Sequence, residues 1–155
     1  MSDPEFALVP IGELHEHEEV DAGSLRELIA RIRTDGLVRD PIWVARGSGV
    51  ILNGHHRYHA LRALGAVRVP AWLFDYDDSL IALERWGPGP PVTKALIVER
   101  ARTGVPFPPK TTRHLLRVAL PEHPTPLAEL LPTRGSAQPA APARASSSGR
   151  PGGGR

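Results

Sequence analysis

Short stretches in which every second position is apolar alternate with longer ones in which apolar residues recur every three to four. Phe6–Ile11 reads as a first strand, with Pro10 marking an edge. Asp21 is placed to cap a helix over 22–34, because Leu25, Leu28, Ile29 and Ile32 fall on one face and Gly36 supplies the stop. Pro41–Ala45 and Val50–Leu52 read as strands joined by a hairpin turn at Gly47-Ser48-Gly49. A second helix runs to Leu64 and stops at Gly65, and Val67–Phe74 is a further strand ending at Asp75, Asp77 and Asp78. Ser79–Trp86 fits either a strand or a short helix, Gly87–Pro91 is a rigid loop, and Val92–Thr103 is a third helix stopped by Gly104. The expected architecture is α/β (α+β): a small mixed sheet with flanking helices over residues 5–120.

The passage from Leu52 into the second helix is chemically pointed. Asn53-Gly54-His55-His56-Arg57 breaks a strand at a glycine and opens a helix, whose first N–H groups and positive dipole end favour an anion. The dipole alone would select acids for that turn, so two histidines and an arginine suggest a ligand rather than a cap. The alternative is a solvated polar turn that only starts a helix.

Composition narrows the field. With 155 residues the chain has room for one ordinary domain and a tail, and without cysteine it has no disulfide, thiolate metal site or thiol nucleophile. Residues 121–155 are rich in Pro, Ala, Ser and Gly and read as a tail, disordered over 132–155. Residues 132–155 carry Arg134, Arg144, Arg150 and Arg155 and no acid, which leaves 15 of the 19 Lys+Arg against all 17 Asp+Glu in residues 1–131, a net of −2. A body without basic excess gives no reason to expect nucleic acid. No secretory leader and no stretch long enough to span a bilayer is evident, so a cytoplasmic location is expected.

Two more polar clusters stand at the ends of apolar segments. Glu13–Glu19 holds His15, His17 and Glu18; it suits a general base or a solvated acidic loop, and His15 and His17 would share a metal only from a strand or turn. Lys110-Thr111-Thr112-Arg113-His114 follows the stiff entry Pro106-Phe107-Pro108-Pro109 and presents donors suited to phosphate or carboxylate oxygens. Its alternative is a basic helix start that keeps the C-terminal segment soluble. The P-loop, dinucleotide and nucleophile-elbow patterns are all absent. Trp43 and Trp72 lie in strand-like runs and are expected in the core rather than under a base.

Ile51-Leu52-Asn53-Gly54-His55-His56-Arg57-Tyr58, with Ala60–Gly65 and Val69-Pro70 behind it, resembles the signature of the ParB/sulfiredoxin superfamily. The resemblance covers about residues 5–78 and implies that superfamily's fold, with a phosphate site at this turn. Sulfiredoxins place a cysteine where this chain has His55, which excludes their chemistry. Partitioning ParB proteins continue into a helix-turn-helix domain, for which the segment after Leu116 is expected to be too short. The free-serine kinase branch fits best: Phe107–His114 is similar to its C-terminal phosphate element, and His17-Glu18 to the place of its catalytic glutamate.

That resemblance implies transfer of a phosphoryl group from ATP or ADP, with Mg²⁺, to the hydroxyl of free L-serine, giving O-phospho-L-serine. Glu18 is then the base. Gly54, His55, His56 and Arg57, together with Lys110, Thr111, Thr112, Arg113 and His114, hold the nucleotide phosphates, and no protein side chain is assigned to the metal. The family pattern has aspartate where this chain has Asn53, so this residue separates a catalyst from the alternative: a non-catalytic nucleotide-binding ParB-like regulator or DNA-associated protein. The expected partners are a nucleotide and a small amino acid, with no membrane; oligomeric state is left open.

Overall fold

A computed structural model of the chain describes residues 3–133. The central sheet has four strands in the order β1 (Glu5–Pro10), β5 (Arg68–Phe74), β3 (Ile42–Ala45) and β4 (Ile51–Asn53). It is mixed: β5 pairs antiparallel with β1 and parallel with β3, and β3 pairs antiparallel with β4 through a register shift between Trp43 and Val44. The parallel step is made by α2 (His55–Ala63), which carries the chain from β4 back to the start of β5.

Period-two alternation sorts the strands onto two cores. Ile42, Val44, Ile51, Val69 and Ala71 face Ile32, Tyr58 and Leu61 of α1 (Ala22–Asp35) and α2. Ala45, Leu52, Trp72 and Phe74 face the opposite way, with Ile81, Ile97 and Phe107. Trp72 is buried and Trp43 packs against the same cluster, as expected of core residues.

The helix caps follow the sequence closely. Asp21 Oδ2 accepts from the Ser24 N–H at 2.8 Å, and Gly36 ends α1 in the left-handed region. Thr93 caps α3 (Lys94–Thr103), and Gly104 ends it.

The structure settles one open reading and departs from the sequence reading elsewhere. Ser79–Trp86 resolves as strand β6 (Ile81–Arg85), paired antiparallel with β7 (Thr112–Leu116), so the segment from Thr112 is a strand and not a basic helix start. The apolar side chains that β6 and β7 contribute, Ile81, Leu83 and Leu116, pack against the second cluster, which gives the hairpin its inner face. The compositional boundary at 120 also falls short of the last packed segment. Strand β8 (Thr125–Pro126) pairs with β2 (Leu37–Val38), and Leu130 is fully buried in the first core. The buried Leu130 side chain, its carbonyl accepting the Val67 N–H at 2.8 Å, and the Leu127 N–H donating to the Gly36 carbonyl at 2.9 Å join that pairing in holding this segment despite its proline-rich composition. Residues 134–155, most of the expected disordered tail, lie outside the described residues.

The polar stretch 15–19 is not a free loop. His15 bridges to Val50, and the Ile51 N–H donates to the His15 carbonyl at 2.9 Å. Phe107 N–H donates to the His17 carbonyl at 2.7 Å, and Glu19 N–H to the Phe107 carbonyl at 2.8 Å. The stretch therefore runs as a rail between the edge of β4 and the proline-rich entry to β7.

Candidate active site

The rail, the start of α2 and the start of β7 enclose a cleft of about 760 Å³. Glu18, Asn53, Gly54, His55, His56, Arg57, Lys110, Thr112, Arg113 and His114 line it. Thr111 does not: it is buried, and its hydroxyl donates to the Pro108 carbonyl at 2.7 Å, closing the Pro-Pro turn.

Gly54 makes the cleft possible. Its backbone (φ 105°, ψ 28°) is one that a side chain rarely adopts, and an added Cβ would stand 2.5 Å from Ile42 Cγ2 and 3.0 Å from Arg57 Nη2. With glycine there, β4 turns directly into α2 against the sheet. No side chain caps α2, so its first N–H groups remain available to an anion.

The three residues after Gly54 take roles other than the cationic ones their types suggest. His55 Nε2 accepts the His17 backbone N–H at 3.1 Å, and burial, assisted by repulsion from His17, holds its pKa well below the ordinary value. His55 is therefore neutral, with its proton on Nδ1. His56 Nε2 likewise accepts the Asp21 N–H at 3.1 Å; burial lowers its pKa against the opposing pull of Asp21. Both rings pin α2 to the rail and to α1, and neither brings a positive charge to a phosphate.

Arg57 Nη1 donates to the Asp40 and Pro41 carbonyls at 2.8 and 3.2 Å, and Nη2 to Asn53 Oδ1 at 3.0 Å. Most of its fork is thus committed to the β2–β3 connection and to Asn53, while the guanidinium charge stays at the cleft wall. Asn53 is the partner of Arg57, a contact that a four-residue spacing across a helix start permits and that residue type alone did not announce.

On the opposite wall, Glu18 meets the second cluster. Its Oε2 accepts the Lys110 N–H at 3.1 Å, and its Oε1 accepts the Thr112 N–H at 2.9 Å and the Thr112 hydroxyl at 2.8 Å. Lys110 is left-handed (φ 60°), alone in this among the described non-glycine residues, and the bend aims two backbone donors at one carboxylate. A carboxylate has about four acceptor positions, so one remains on Oε2.

The Lys110 and Arg113 side chains are exposed at the cleft. Arg113 also lies over the Trp86 ring, 5.0 Å from its centre, and 3.5 Å from Glu84. His114 turns inward and hydrogen-bonds Tyr76 at 2.7 Å. Burial first, then repulsion from His17, pushes its pKa down to about 3, so it too is a neutral wall and not a cationic clamp. Two residues take parts in the site that the sequence reading did not give them, His17 having been raised there only beside His15 as a metal ligand and as the neighbour of Glu18. His17 is fully buried at the back of the site, its pKa pushed down to about 4 by burial against the opposing Ile51 backbone. Trp86 is 49% exposed at the cleft mouth, and its position after a strand of unsettled type gave no signal.

The arrangement is a cleft with uncapped helix N–H groups on one wall, two exposed cations and a glutamate on the other. It suits a phosphorylated ligand and a proton-accepting carboxylate. No protein-family model matches the chain. Over 88 residues it is 38% identical to an ATP-dependent L-serine kinase of Staphylothermus marinus, a match covering 54% of this chain and 35% of that protein. Over 106 residues it is 36% identical to an ATP-dependent L-serine kinase of Desulfurococcus mucosus, covering 65% and 42%. A ParB-like protein of Sulfolobus acidocaldarius is 36% identical over 86 residues, covering 56% and 43%. The chain thus spans less than half the length of these curated relatives.

Among solved structures, a free serine kinase in complex with AMP matches with a TM-score of 0.72 at 18% identity, covering 83% of this chain and 94% of that one. A conserved hypothetical protein from Pyrococcus furiosus matches at 0.74 and 18%, covering 82% and 97%. The fold is the one that these proteins share, and the resemblance read from the Asn53–Arg57 signature holds for both sequence and fold.

Proposed function

We propose that the chain is a nucleotide-dependent kinase that phosphorylates the hydroxyl of free L-serine to give O-phospho-L-serine. The observation that carries this reading is the placing of Glu18, with one acceptor position left, across a single cleft from the uncapped start of α2. Curated relatives at 36–38% identity that are named L-serine kinases support it.

Phosphoryl transfer asks a protein chiefly for positioning and charge neutralisation. The N–H groups of α2 and the Lys110 and Arg113 side chains hold the nucleotide phosphates, with the Arg57 charge behind them. His55 and His56 shape the wall as neutral rings. Glu18 takes the proton of the serine hydroxyl as the oxygen attacks. Among the described residues no three His, Asp or Glu side chains converge on one point. Mg²⁺ accompanying the nucleotide would be held mainly through the phosphates, its usual mode, and would supply neutralisation of their charge. The phosphate donor is ATP or ADP, and such a reaction belongs to the cytoplasm, where these nucleotides are held.

The test supplies L-serine and Mg²⁺ with ATP, ADP or CTP and looks for O-phosphoserine by mass spectrometry. Product with any of them upholds the reading. Nucleotide binding without product rejects it in favour of a non-catalytic regulator, the reading that the amide at Asn53 favours. In that case DNA affinity that vanishes on deleting 132–155 marks the DNA-associated form.

A further inference from the structure

The Thr112 hydroxyl stands between two partners and has one proton to give. Glu18 Oε1, 2.8 Å away, can only accept, so the proton goes there. His17 Nε2 lies 3.0 Å from the same hydroxyl oxygen, and with that proton already spent the imidazole must be the donor. That places the His17 proton on Nε2 and leaves its buried Nδ1 without a hydrogen-bond partner among the described residues. Its ring is held in turn. It is fully buried, sits edge-on to His55 with centres 4.6 Å apart, and lies 5.9 Å from His114. Its backbone N–H is bound to His55 and its carbonyl to Phe107.

We propose that His17 and Thr112 are positioning residues for Glu18. The His17 Nε2–H donates to Thr112 Oγ1, whose hydroxyl donates to Glu18 Oε1. This chain of donors fixes the rotation of the carboxylate and leaves Oε2 for the acceptor's proton. The assignment rests on the kinase reading for its consequence in turnover, though not for its geometry. It removes Thr112 from the phosphate clamp, because its only proton is committed and its oxygen faces His17. The line begins at the start of α2, through His55, so the anion-binding turn and the base are set by one continuous set of contacts.

Two measurements on the full chain test this. With ¹⁵N-labelled histidine, the His17 ring is expected as the neutral Nε2–H tautomer, with a signal that moves in both Thr112→Val and Glu18→Gln. A ring protonated on Nδ1, or one indifferent to both substitutions, overturns the proposal whether or not serine is phosphorylated. In turnover, Thr112→Val keeps the backbone donor and the side-chain shape. It is expected to lower kcat about 10–100-fold with nucleotide KM within about twofold. Thr112→Ser should return to within about threefold of wild type, and His17→Gln, which keeps an N–H at similar reach, should exceed His17→Leu about tenfold. In a Glu18→Gln background, Thr112→Val should cost less than about threefold more, because its effect passes through the carboxylate. A raised nucleotide KM at unchanged kcat would put the hydroxyl on the phosphates and overturn the proposal. A wild-type chain that makes no O-phosphoserine refutes the kinase reading alone, and the histidine signals then decide this one.

Discussion

Gly54→Ala is the sharpest probe of how the cleft is built. The substitution adds one carbon, but at φ 105° and ψ 28° that carbon would lie 2.5 Å from Ile42 Cγ2 and 2.8 Å from Ile42 Cβ. Ile42 is fully buried in the first core and cannot swing away. Holding alanine in this backbone region costs about 1–3 kcal/mol, and overpacking against a seated core side chain costs a further 1–3 kcal/mol or so. The expected loss is therefore about 2–6 kcal/mol, a large share of the roughly 5–15 kcal/mol that a domain has. It should appear as a fall in Tm of roughly 10–20 °C in a circular-dichroism melt, and as a lower urea midpoint at unchanged slope. The same shift tilts the start of α2, so affinity for nucleotide should drop even where the variant is folded. A Gly54→Ala protein within about 0.5 kcal/mol of wild type would refute the claim that Ile42 forms a rigid floor under the turn.

Glu18→Gln should lower O-phosphoserine formation about 10²–10⁴-fold while nucleotide affinity stays within a few-fold, checked by turnover and by calorimetry; a fully active variant removes Glu18 as the base. Asn53→Asp keeps the acceptor for Arg57 Nη2, so the domain should remain folded, and the serine kinase rate reads directly whether a charge at this position was missing. Acid should unfold the protein early. The pKa values of His17 and His114 lie at about 4 and about 3 against 6.5 in the unfolded chain, so the unfolded state binds more protons below pH 6.5. The stability they confer is complete above that pH and is lost as pH falls, by about 4 kcal/mol for the pair between pH 6.5 and 4.5. Urea melts across that range should show the decline, and a flat profile would contradict burial of the two neutral rings.

Much of the site's local frame was legible in the chain. The strand–Gly54–helix passage, the Asp21 cap and the Gly36 and Gly104 stops depend on residues within a few positions of one another, and each lies where the pattern put it. Glu18 and the 110–114 segment were legible as separate clusters, and the cleft unites them. The β6–β7 pairing was not, because 79–86 fits strand or helix by its pattern and is settled as a strand only through a partner some thirty residues on. The β2–β8 pair and Leu130 were hidden for the same reason, inside a composition that resembles a tail.

By itself the sequence determined where the backbone turns, where helices begin and end, and which residue types gather at each junction. Capping, glycine's access to positive φ and apolar periodicity all act over neighbouring residues. Only the tertiary structure decided what those residue types do. Glu18 is bound by Thr112, 94 positions away, and His17 by His55, 38 positions away. Three histidines that read as donors of charge, His55, His56 and His114, are neutral because burial takes water from them, and an arginine that read as a phosphate ligand is mostly spent on backbone carbonyls. Desolvation and long-range contact belong to the packed molecule, and they turned a set of basic motifs into a cleft lined by the charges of Lys110, Arg113 and Glu18.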